Sequence, residues 1–232
     1  MNRLRLSQQR GHEDKGWIES YHSFSFETYY DPDYLGYRSL CVLNEENIKG
    51  GKGLGEQVHK DMEVLTYVVS GVLEYKDNLG NTSVIREGEL FLLSAGTGIT
   101  HSEYNLSHHI PVHFFQLWFT PNQSSLIPTI TQRVFSSIAK WGQWCLIASQ
   151  NGREGSLRVH QDVNVYATVL DSDGILVFEG LPDRYYWIQV LSGTFLVQKE
   201  IMHQGDGFAL SEELRIEVSC LEGGELLLID QA

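Results

Sequence analysis

Short apolar or alternating runs, each closed by a turn signal, follow one another along this chain, and that rhythm excludes most folds before any motif is read. Val64 to Val69 ends at Ser70-Gly71, and Val72 to Tyr75 ends at Asp77-Asn78-Leu79-Gly80-Asn81. Arg86-Glu87-Gly88-Glu89 opens Leu90 to Leu93, and His113 to Phe119 stops at Thr120-Pro121-Asn122. Helical periodicity is scarcely sustained anywhere, while 22 glycines, 11 tyrosines and 10 phenylalanines supply turns and strand-forming side chains. The expectation is an all-β sandwich or barrel.

The later half echoes the earlier one. Leu65 to Val72 reads LTYVVSGV and Ile188 to Phe195 reads IQVLSGTF. Each is followed, after a turn, by a glycine-acid strand opening: Glu87-Gly88-Glu89-Leu90 in the first copy and Gln204-Gly205-Asp206-Gly207 in the second. Such self-similarity points to a duplicated β unit, although shared turn chemistry alone gives short identities too. The polar stretch from Thr120 to about Gly142 is the expected boundary, giving domains at residues 1–132 and 133–232.

Charge narrows the partners. Seventeen Lys and Arg against thirty Asp and Glu leave −13 over 232 residues, with no basic run to neutralise phosphates, so direct nucleic-acid binding is not expected. The opening Met1-Asn2-Arg3-Leu4-Arg5-Leu6-Ser7 has no apolar signal region, and no run of about 18 apolar residues follows, so no membrane association is expected. Cys41, Cys145 and Cys220 are widely spaced and form no metal motif; they read as reduced structural thiols of a cytoplasmic protein.

The chemistry-bearing residues gather in the first copy. Gln57-Val58-His59 precedes the Val64 strand, and His101-Ser102-Glu103 follows the Leu90 strand and its Ser94-to-Gly98 turn. Side chains two apart in an extended chain share a face, so each triplet presents two ligand-type groups together. Two His and one carboxylate with open positions is the donor set of non-haem Fe(II) sites, and the Gln57 amide is either a weak fourth donor or a supporting group. His160 and His203 are isolated and read as structural, and His108-His109 as a surface loop. Gly50-Gly51-Lys52-Gly53-Leu54-Gly55 fails as a phosphate cradle, since no Lys-Ser/Thr opens a helix after it; a flexible lip beside the site is expected.

Gly55 to Glu63 and Ser94 to Asn105 closely resemble the two metal-site motifs of the pirin family, bicupins that include bacterial quercetin 2,3-dioxygenase-like proteins. The resemblance extends over Arg10-Gly11-His12, Gly16-Trp17, His22 to Phe26, Tyr30-Asp31-Pro32 and Gly155 to Asp162, and so spans nearly the whole chain. It implies two tandem cupin barrels (double-stranded β-helix, or jelly-roll), with a divalent metal in the first only, held by His59, His101, Glu103 and position 57. Gln57 stands where the family has His, a departure that weakens the expected site. Fe(II) is the expected ion, with Ni, Zn, Mn or Cu as alternatives. The resemblance further implies dioxygenation of a quercetin-like flavonol, with Glu103 as ligand and catalytic base. The alternative it carries is a non-enzymatic, metal-dependent regulatory protein that binds a protein partner.

Overall fold

The computed structural model describes residues 2–232, and the chain is nearly all strand. In chain order the strands are β1 (Arg3–Arg5), β2 (Gly11–Asp14), β3 (Ile18–His22), β4 (Leu40–Ile48), β5 (Gly53–His59), β6 (Glu63–Ser70) and β7 (Val72–Asp77). They continue with β8 (Thr82–Arg86), β9 (Glu89–Ser94), β10 (Ile99–Asn105), β11 (Val112–Phe119), β12 (Thr129–Val134) and β13 (Cys145–Ser149). The remainder are β14 (Leu157–Arg158), β15 (Val163–Leu170), β16 (Ile175–Glu179), β17 (Tyr185–Val197), β18 (Glu200–His203), β19 (Gly207–Ser211) and β20 (Arg215–Gln231). The one α-helix among the described residues is a single turn, Ser137–Lys140.

The chain divides into two compact units, each a cupin domain. The first comprises Gly11–Phe135 with Val159–Gln161. A seven-stranded sheet, β12-β9-β6-β11-β4-β3-β2, and a four-stranded sheet, β5-β10-β7-β8, make it up. Its core includes Val64, Val68, Tyr75, Phe91, Leu93 and Phe114, apolar residues that alternate along their strands as period-2 patterning requires. The second unit comprises the chain up to Arg10, Ser136–Arg158 and Asp162–Ala232. It is a nine-stranded sheet along β1-β19-β17-β20-β15-β13-β14, with β16 on β20 and β18 on β17. Ile188, Val190, Phe195, Leu226 and Leu228 lie in its core.

The echo between the halves has a backbone basis. Gly71 and Gly193, equivalent in the two sequence copies, hold φ of 85° and 82°. A Cβ on Gly71 would sit 2.7 Å from the Pro111 carbonyl oxygen, and one on Gly193 2.5 Å from that of Gly223. Each glycine therefore lets a bend lie against a neighbouring backbone that any other residue would push away.

Three expectations about the chain's course need revision. A single cut at 132/133 does not separate the units: β1 pairs with β19, with Arg3 opposite Ala209 and Arg5 opposite Gly207, so residues expected in the first barrel complete the second. The stretch from Thr120 to Gly142 is not all linker, because Thr129–Val134 joins the first unit beside β9; mostly exposed, it lacks the apolar face that marks a strand in sequence. The glycine-rich segment is no loose lip either. From Gly53 it runs as strand β5 against β10, and a Cβ on Gly53 would stand 2.3 Å from the Glu103 carbonyl oxygen, so this glycine permits close strand contact.

Candidate functional site

Strands β5 and β10 bring the two sequence triplets together. In their antiparallel register His101 faces Gln57, Ile99 faces His59, and Glu103 faces Leu54. Three residues of β5 thus span the interval that two residues of β10 cover, a bulge that re-aims the side chains on either side of it. His59, His101 and Glu103 are all buried, whereas Gln57 is half-buried.

The imidazoles of His59 and His101 are edge to face with centroids 4.9 Å apart. Trp118 packs edge-on to His59 at 4.6 Å, and Tyr75 lies 5.2 Å from His101. Nε2 of His59 and both ring nitrogens of His101 are buried without a hydrogen-bond partner. Leaving three such atoms unpaired is costly, and since each neutral ring carries one lone pair, an ion that accepts one from each imidazole would remove part of that cost. Burial holds the pKa of His59 below its ordinary value. It brings that of His101 down to about 4, assisted by His59 and opposed by Asp77. Both rings are therefore neutral near pH 7, the form in which imidazole coordinates a metal.

Glu103 is held differently. Gln116 Nε2 donates to Glu103 Oε2 at 2.7 Å, and the orientation of that amide is fixed because its Oε1 accepts from the Trp118 indole N–H at 3.2 Å. Burial raises the Glu103 pKa to about 7, against the lowering effect of hydrogen bonds from Gln116 and Thr66. Among the described residues no three His, Cys, Asp or Glu side chains form a ready-made metal cluster. What is assembled is a pair of imidazoles with free lone pairs, and a carboxylate two residues along β10 that is anchored to Gln116. Neutral imidazoles plus a carboxylate suit a divalent ion, and the orphaned nitrogens are where it would bind.

A cavity of about 350 Å³ reaches this cluster at His59; Gln57, His59, Gln116 and Trp118 line it, whereas His101 and Glu103 do not. Residues that sequence reading missed line it as well. Ser20, His22, Asn44 and Glu46, from β3 and β4, all line it. Ser20 Oγ donates to Glu46 Oε2 in a short hydrogen bond, and His22 Nδ1 lies 2.9 Å from Asn44 Oδ1. Burial, together with the charges of Glu103 and Glu27, raises the Glu46 pKa to about 8 against the opposing effect of Ser20 and Lys15. The available signal was Asn44-Glu45-Glu46-Asn47, four consecutive polar residues in a strand whose other residues are apolar.

The remaining histidines have structural surroundings. His160 donates its backbone N–H to Glu63 Oε2 at 3.2 Å, with its Nδ1 3.3 Å from Glu63 Oε1, and Ser94 Oγ donates to the same carboxylate at 2.5 Å. His108 and His109 lie in the loop between β10 and β11, and Cys41, Cys145 and Cys220 are unpaired.

Two cupin domains in one chain, the first bearing a buried imidazole pair and carboxylate with His59 on a cavity, define a bicupin with one candidate metal centre. Residues 3–119 match the family model described as Pirin, and residues 146–231 the one described as Quercetinase C-terminal cupin domain. The chain belongs to the pirin family. It is 40% identical over 227 residues to the quercetin 2,3-dioxygenase of Escherichia coli K12, covering 98% of this chain and 97% of that one. The crystal structure of YhhW from E. coli superposes with a TM-score of 0.96 at 39% identity, covering 100% of this chain and 98% of that chain. The nickel(II) complex of bacterial pirin YhhW gives 0.94 at 39% identity, over 100% and 99%. No helix among the described residues is long and apolar enough to cross a membrane.

Proposed function

We propose that this protein is a metal-dependent dioxygenase acting on quercetin-like flavonols. The observation that carries the reading is the buried imidazole pair of His59 and His101, with ring nitrogens that have no hydrogen-bond partner, where His59 also lines a cavity of ligand size. The kinship with a quercetin 2,3-dioxygenase and with a nickel-binding pirin supports it. His59, His101 and Glu103 are the proposed metal ligands, with Gln57 as a weak fourth. Fe(II) is the proposed ion on the two-His, one-carboxylate donor set, with Ni, Zn, Mn and Cu as alternatives.

A bound divalent ion would supply the Lewis-acid and oxygen chemistry of the reaction. The chain supplies the rest. Glu103 takes the proton of the substrate hydroxyl, a carboxylate at the metal lying within reach of it. Gln116 fixes the direction in which that carboxylate presents its oxygens, and Trp118 fixes Gln116. Trp118, Phe26 and Ile18 give the cavity apolar walls that exclude water from the reacting groups. The unpaired cysteines accord with the cytoplasm as the proposed location.

Oxygen uptake by the Fe(II)-loaded and Ni(II)-loaded protein with quercetin is the direct test. Turnover should fall by about a hundredfold or more in Glu103→Gln, which removes both the base and the ligand charge. Gln57→His should tighten metal binding by about tenfold or more, since imidazole is the better donor; unchanged affinity in calorimetry would remove position 57 from the ligand set. Gln57 is also the one feature that favours a regulatory, non-enzymatic pirin. Absence of oxygen uptake in both loaded forms, with a protein interaction lost on stripping the metal, would favour that reading instead.

A further inference from the structure

Ser20 and Glu46, which line the cavity together with His59, have no task in the reaction as described. Ser20 spends its single hydroxyl proton on Glu46 Oε2, which leaves oxygen lone pairs on both groups for a ligand. No other hydrogen bond to the Glu46 carboxyl is made by the described residues, although the side chain is 95% buried and lines the cavity. Glu13 and Glu27 line the same space, and the cation among its lining groups, Lys15, is engaged by Glu13 at 2.7 Å.

The Glu13 and Glu27 carboxylates give this space negative charge, and with the oxygen lone pairs of Ser20 and Glu46 they repel an anion and favour a ligand that brings donors. Ile18, Phe26, Leu54 and Trp118 add apolar and aromatic surface to the same cavity, which suits a flat ring. A volume near 350 Å³ lies within the range of roughly 300–1,000 Å³ that accommodates one small organic ligand.

We infer that Ser20 and Glu46 form a hydroxyl-recognition site in which Glu46 accepts a hydrogen bond from a phenolic hydroxyl of a neutral polyhydroxylated aromatic ligand, remote from the edge directed at His59, His101 and Glu103. Glu46 is thus a specificity-determining residue and Ser20 a positioning residue that holds its carboxyl. The inference depends on the dioxygenase reading for the identity of the ring system, but not for the existence of the hydroxyl site. Buried acceptors built to meet a hydroxyl are left unpaired by an analogue that lacks it, and discrimination follows from that loss.

The test uses the full-length Ni(II)-loaded protein and three probes: quercetin, 3-hydroxyflavone, which keeps the chelating edge but lacks the remote hydroxyls, and resorcinol, which has hydroxyls but no chelating edge. The wild type should bind quercetin about tenfold or more tighter than 3-hydroxyflavone. Glu46→Leu should abolish that preference while leaving 3-hydroxyflavone affinity within about twofold, and Ser20→Ala should reduce the preference without abolishing it. Glu46→Met, of similar length and without a strong acceptor, serves if the leucine variant does not fold, and should also lower the preference. A preference retained in both Glu46 variants overturns the inference. If the wild type binds neither flavonol, the flavonol reading fails and resorcinol decides the inference separately. Resorcinol binding that weakens in Glu46→Met sustains it, and resorcinol bound equally by both proteins, or by neither, overturns it.

Discussion

At the scale of single residues, Glu46 ties the cavity to the stability of the fold. Its folded pKa of about 8 stands above its ordinary 4.5, so the folded protein holds this proton more tightly than the unfolded chain does. The associated stability is fully present below pH 4.5 and is lost as pH rises through 8. Gln at this position cannot ionise and avoids the loss. In chelator-treated protein the melting temperature of Glu46→Gln relative to wild type should therefore rise between pH 5 and pH 9, by at least about 2 °C for a unit or more of shift. A constant difference across that range would show that Glu46 ionises without cost. That His101 and Glu103 share a buried face was legible in the sequence, because a spacing of two on a strand advertises one. Glu46, Ser20 and Gln116 were not, because which face a polar residue of a central strand occupies depends on register, and register is set by pairings distant in the chain.

At the scale of elements, the contact between β5 and β10 decides whether the imidazoles meet. Gly53 lies where a side chain would strike the Glu103 backbone, whereas a Cβ on Gly55 would meet nothing within 4 Å. Gly53→Ala should force β5 away from β10, weakening metal binding by about tenfold and lowering the melting temperature by several degrees. Gly55→Ala should leave the melting temperature within about 2 °C of wild type. Calorimetry and thermal melts on the pair separate a packing role from a flexible lip; equal effects would reject the packing role. The same strand explains where reading by pattern ran out. Val64 to Val69 and His113 to Phe119 carry apolar side chains at strand period, while Gly53-Leu54-Gly55-Glu56 has too few to signal a strand and is held in place by its partner.

At the scale of the whole molecule, β1 closes one edge of the nine-stranded sheet. Ser7 reinforces it by donating its backbone N–H to Asp206 Oδ1 at 2.6 Å. Deleting residues 1–7 should leave β19 as an unpaired edge and lower the melting temperature by about 2–6 °C, on the basis of one or two kcal/mol for a three-residue ladder and the packing of Leu4. Amide exchange at Gly207 and Ala209 should accelerate, and full protection there in the truncated protein would show that β1 is dispensable. The duplicated architecture was readable from the paired Ser-Gly turns, but this exchange of a strand between halves was not: Arg3-Leu4-Arg5 is too short to carry a pattern of its own.

The pairing of Leu4 with Phe208 also sets an order of events. The whole first unit and most of the second lie between the two residues, so on the ribosome this segment must wait, unpartnered, until nearly all of the chain has emerged. Contacts this distant in sequence form late and slowly. A nascent chain of this protein would therefore pass through a stage in which its first barrel is folded while β1 is still idle, and the sheet edge is sealed only once β19 has been made.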